Sequence, residues 1–181
     1  MFSATHWTTV FTFSVLAVSA QFPQASIPER ALTVTALVGK NNLSSLECWE
    51  LTPGLVNTTG STVGALSYPH MGNVANASYL VFPQDTNSGT HHAPGVQYNI
   101  VLTGQVELSF PTANLSDSTL TGKHIIYAGE FWIAADAEGL TIRGHNTLWR
   151  AGTSQLSMPM AGAMPSHTVL HDGGCIRRHE W

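Results

Sequence analysis

Apolar positions along the chain come in short runs with partial period-two alternation, and nearly every run stops at glycine or proline. ALTVTALV, residues Ala31–Val38, is rich in β-branched residues and predicts a strand. The ECWEL region over Leu46–Leu51 predicts a second, ended by Pro53-Gly54, and ASYLVF at Ala77–Phe82 a third, stopped by Pro83. Val96–Leu102 and Gln105–Phe110 flank Thr103-Gly104 and read as a hairpin closed by Pro111. Further short strands are expected at His124–Tyr127, Glu130–Ala134 and Leu140–Arg143, separated by Gly129 and Gly139. No window carries a sustained i, i+3, i+4, i+7 apolar stripe with caps, so helices are not expected. Strands about ten residues apart with Gly/Pro punctuation predict an all-β sandwich or barrel. The Met- and Pro-rich tail over Ser154–Pro165 is expected to place Met158, Met160 and Met164 in core gaps or at a barrel mouth.

Composition narrows this picture. A chain of 181 residues with 43% hydrophobic content buries one core, which predicts one domain. Charged residues are only 10%, against roughly 25% in an average soluble domain. With 7 Lys plus Arg and a formal charge of −4, no basic face is available for a phosphate backbone, which excludes nucleic acid as an expected partner.

Residues 1–20 run apolar from Val10 to Val18 and end in Ser19 and Ala20, the pattern of a secretory signal cleaved near Ala20-Gln21. The run is well short of the roughly 20 residues that span a bilayer, so no membrane span is expected after cleavage. The domain then occupies residues 21–181, in a secreted or secretory-pathway protein. Four Asn-x-Ser/Thr sequons, at Asn42, Asn57, Asn76 and Asn114, agree with that compartment, and glycans there would offset the scarcity of surface charge. The two cysteines, Cys48 and Cys175, are expected to form a disulfide in an oxidising compartment, and no CxxC suggests structural zinc.

The stretch GTHHAPGVQYNIVLTG, from Gly89 to Gly104, resembles the first motif of the cupin superfamily. Counting back from Gly104 places Gln97 at the glutamate position and His92 at the second histidine position, with Thr90, or His91 beside it, at the first. Gly129 resembles the start of the second motif, whose histidine position falls on Leu140, His145 being the nearest histidine. The overall style, with HHAPGVQ, GEFWIAAD and GHNT, resembles small secreted fungal cupin-like proteins, some of which stand beside genes for polyketide and meroterpenoid biosynthesis. The resemblance implies a single jelly-roll β-barrel around a small-molecule site. It also implies a divalent transition metal on His91, His92, Gln97 and His145, or, because a neutral amide replaces the carboxylate ligand, a site that works without a cofactor.

Alternation adds a reading of its own. If Gln97 faces the interior, so do Asn99, Val101 and Thr103, and polar groups there require a neighbour, water or a ligand. If a bulge at Pro94-Gly95 reverses the parity, the same residues face solvent. In the second cluster, Glu130 is expected to be a turn carboxylate, Asp136 and Glu138 to sit in an exposed loop, and Trp132 to line a cavity. His145 is the candidate acid–base group, and Arg143, on the same strand parity, the group that polarises a carbonyl or phenolate.

These readings combine into an expected enzyme that binds a small, largely apolar natural-product intermediate. Gln97, Asn99, His145 and Arg143 would be catalytic, and His91, His92, Val101 and Trp132 would contact substrate. The reaction class is cofactor-independent cyclisation or cycloaddition, isomerisation or dehydration. The alternatives are a metal-dependent cupin oxygenase or decarboxylase, and a non-catalytic secreted small-molecule-binding protein.

Overall fold

β1 (Arg30–Lys40) is flanked in space by β2 (Leu43–Asn57), antiparallel, and by β9 (Phe131–Ala135), parallel. It is an interior strand covered on both faces, which is why its sequence reads as a nearly continuous apolar run. The computed structural model describes residues 30–176; the expected signal segment, its cleavage point and the linker up to residue 29 lie outside them. The remaining strands are β3 (Leu66–Ser67), β4 (Ser78–Phe82), β5 (Thr86–His91), β6 (Gln97–Thr103), β7 (Gln105–Pro111), β8 (Leu120–Tyr127), β10 (His145–Trp149), β11 (Thr153–Pro159) and β12 (His167–Asp172). The one helical turn among the described residues is the 3-10 segment Gly60–Thr62.

The strands form two sheets, one of eight strands in the order β12-β2-β1-β9-β6-β11-β4 with β3 paired to β2, and one of four in the order β5-β10-β7-β8. Neither closes into a barrel. Leu37, Leu46, Val101, Trp132 and Ala134 of the large sheet meet Val106, Leu108, Ile126 and Trp149 of the small one, so this core lies between the sheets. A second cluster, with Val34, Ala36, Trp49, Tyr98 and Ile133, covers the outer face of the large sheet under Tyr68, Met71, Met158 and Met160. Met164 stays exposed.

The expected hairpin at Thr103-Gly104 is a corner instead. β6 pairs with β9 and β11, whereas β7 pairs with β8 and β10, so the chain passes from one sheet to the other at Gly104. Gly104 has φ +72°, and a Cβ there would lie 2.5 Å from Thr153 Oγ1. That hydroxyl in turn bonds both the N–H and the carbonyl of Gln105, which binds the corner to β11. Sequence punctuation marks where a chain turns, and cross-strand packing decides whether the two runs pair.

Other boundaries also move. β2 runs through the cis Thr52–Pro53 bond to Asn57, because it continues along β1 and then β3. Leu140–Arg143 is turn and isolated bridge, and the strand begins at His145. The tail supplies two strands, β11 and β12.

Cys48 and Cys175 form the expected disulfide across a sequence separation of 127. All four sequon asparagines are exposed, as a glycan requires. No helix among the described residues is long and apolar enough to cross a membrane.

Candidate functional site

The histidines of the HHAPG stretch assemble with residues that follow β9. β5 and β10 place His91 directly opposite His145, with ring centroids 4.5 Å apart. Gly144, at φ +72°, permits this approach: a Cβ there would lie 2.1 Å from the carbonyl oxygen of His91. His145 Nδ1 donates to Asp136 Oδ2 at 2.7 Å, and Ser44 Oγ donates to the same oxygen at 2.6 Å. Asp136 is 0% exposed and His145 3%, which overturns the expectation of an exposed loop for Asp136. Glu138 is exposed as expected. The signal available for Asp136 is a carboxylate set directly after a wholly apolar strand, where the end of the sandwich still covers it.

Each of the three histidines expected as metal donors has one ring nitrogen already bonded within the protein. His91 Nδ1 donates to the Gly89 carbonyl, His92 Nε2 to the Thr141 carbonyl, and His145 Nδ1 is committed to Asp136. Among the described residues, no three His, Cys, Asp or Glu side chains are grouped so as to hold a metal ion.

In β6 the expected parity holds from Tyr98, in the outer cluster, to Val101, in the inter-sheet core, whereas Thr103 at the strand's end is exposed. Asn99, 0% exposed, is satisfied by neighbours: its Oδ1 accepts from Gln155 Nε2 at 3.1 Å and from Ser157 Oγ at 2.8 Å. Trp132 Nε1 donates to Gln155 Oε1 at 3.3 Å. Asn99, Val101 and Trp132 therefore build the core rather than a cavity wall, and Gln97 meets this network through its carbonyl, which accepts from Asn99 Nδ2. Arg143 lies apart, its Nη1 donating to the carbonyls of Asn114 and Asp117, so it orders the loop between β7 and β8. Glu130 is a turn carboxylate, accepting from the Tyr127 N–H.

A groove lies elsewhere, at the seam between the two sheets. Among the described residues the outer edge of β8 has no strand partner, and β12 pairs with β2 only from Glu47 onward, so Ser44–Leu46 have no strand partner on that edge. Between them is a groove of about 490 Å³. Leu46 and Phe110 give it an apolar base, His124 and Lys123 of β8 form one wall, and Asp172, Gly173 and Gly174 form the other. Gly174 packs against the His124 ring so closely that a Cβ there would lie 2.1 Å from Cε1. Gly173 N–H bonds the Leu46 carbonyl at 2.7 Å, and the disulfide anchors the segment immediately after. Sequence reading missed this site because its parts, around Lys40, Leu46, His124 and Gly174, carry no motif and meet only through sheet edges.

Burial pushes the His124 imidazole below its ordinary value of 6.5, partly opposed by the Glu130 carboxylate. The folded protein thus binds fewer protons at this position than the unfolded chain, and unfolding free energy falls as pH drops through 6.5 toward the lower folded value. Stability measured by urea unfolding between pH 7 and 5 should decline less steeply in His124→Gln than in the parent. Equal slopes would show that the ring is not desolvated.

By fold the chain is an all-β protein of two facing sheets. No protein family, no curated protein and no solved structure matches it.

Proposed function

We propose that this is a cupin-like secretory-pathway protein that takes a small, largely apolar natural-product-type molecule into the seam groove and promotes a cofactor-independent step there. Cyclisation, isomerisation and dehydration are the reaction classes in view. The observation that carries the reading is a groove of ligand size whose wall holds a desolvated imidazole. His124 would serve as the acid–base or hydrogen-bonding group, a role first expected of His145. Exposed sequons and the disulfide support passage through the secretory pathway.

Binding without turnover is the second reading. It is favoured by the position of the Asp136–His145 pair, which reaches the groove only through Ser44 and contributes no side chain of its own to the lining.

Groove occupancy is tested with the fluorescent apolar probe N-phenyl-1-naphthylamine. Saturable binding to the folded protein is expected, weakened about tenfold by Thr121→Trp, which fills the groove from an exposed lining position. Unchanged affinity in that variant, at unchanged thermal stability, would refute the site.

A further inference from the structure

We propose that the groove selects uncharged ligands bearing a hydroxyl or carbonyl group, which hydrogen-bonds to His124, and discriminates against anions; this rests on the groove being the ligand site. Two lysines line it, Lys40 and Lys123, cations of the kind that hold a carboxylate or phosphate when they are free. Both cations are already engaged. Lys40 Nζ lies 2.6 Å from Asp172 Oδ1 and 3.6 Å from Glu47 Oε1, and Lys123 Nζ lies 2.7 Å from Glu107 Oε2. A ligand anion reaches either lysine only by displacing a protein carboxylate that stays tethered nearby. It exchanges one partly exposed ion pair for another, with little net gain, while adding like charge beside Asp172, Glu47 and Glu107.

His124 is different in kind. Neither ring nitrogen has a hydrogen-bond partner among the described residues, and the ring is pinned by the backbone of Gly174. Desolvation keeps it neutral at neutral pH, so it presents one donor and one acceptor. A hydroxyl can satisfy either, and a carbonyl can accept from the donor. Leu46 and Phe110 supply apolar contact for the rest of the molecule. The ligand that gains most is a neutral amphiphile with one such oxygen.

The test displaces N-phenyl-1-naphthylamine at pH 7.5 with naphthalene, 2-naphthol and 2-naphthoate, three molecules of one shape. 2-Naphthol is expected to compete at about one-tenth the concentration of either of the others. Its advantage over naphthalene should disappear in His124→Phe and persist in His124→Gln, which keeps a donor and an acceptor. Competition by 2-naphthoate equal to or better than that by 2-naphthol would overturn the proposal, as would an advantage surviving in His124→Phe, while leaving the groove as a binding site. Failure of the probe to bind, or its indifference to Thr121→Trp, would instead remove the groove reading and this selectivity with it. Should His124→Phe not fold, His124→Leu gives the same readout, since it too removes both the donor and the acceptor, and an advantage of 2-naphthol that survives in it overturns the proposal.

Discussion

Replacing Cys48 and Cys175 together by alanine should lower the unfolding free energy by about 4–5 kcal/mol, the loop-closure entropy of a cross-link spanning a sequence separation of 127. Cys48 sits on β2, 3% exposed, and Cys175 is further fixed by its N–H bond to Thr35 Oγ1 at 3.0 Å. The bridge therefore holds the segment that walls the groove. Urea unfolding of the parent with dithiothreitol should converge on the Cys48→Ala/Cys175→Ala variant, and the reductant should not shift the variant further. A loss below about 1 kcal/mol would mean that the reduced chain retains the loop by other means. Because Gly173 and Gly174 lose their anchor, the variant should also bind N-phenyl-1-naphthylamine more weakly, a coupling of stability and binding that a distant staple would not produce.

His145→Ala should cost about 3–5 kcal/mol, because it removes the imidazole from a carboxylate with no access to solvent. Asp136 would keep only the Ser44 hydroxyl on Oδ2, and its Oδ1 has no partner among the described residues. Removing both members of the pair, in Asp136→Leu/His145→Ala, should restore part of that loss, since no uncompensated charge remains. The double-mutant cycle in urea reads the coupling directly. A single variant within about 1 kcal/mol of the parent would show that the pair is not a structural pin, and would return His145 to consideration as a reacting group.

Much of the architecture was legible from pattern. Period-two runs with Gly and Pro stops located β1, β4, β6, β7, β8 and β9 and excluded long helices, because alternation is a local consequence of the pleat. Strands lacking that apolar alternation were not seen. Thr86–His91 and His145–Trp149 are polar-rich edge or near-edge elements that exist through pairing with each other and with β7. Asp136 looked like a loop residue because its burial comes from β2, β9 and β10 meeting at one end of the sandwich, a fact of assembly and not of its neighbours in sequence.

The sequence by itself determined an all-β chain with a period-two pattern over Gln97–Thr103, and two cysteines near opposite ends of the domain; that Asn99 and Val101 face inward was decided by the structure. Only the tertiary structure decided which runs share a sheet, that Gly104 is a corner between sheets, and that Asn99 is satisfied by Gln155 and Ser157. It also placed a groove at the seam between β2 and β8, where no sequence pattern pointed. The physical reason is that hydrogen-bonding periodicity is written locally, whereas the place where two sheets fail to join depends on strand lengths and edges summed over the whole chain.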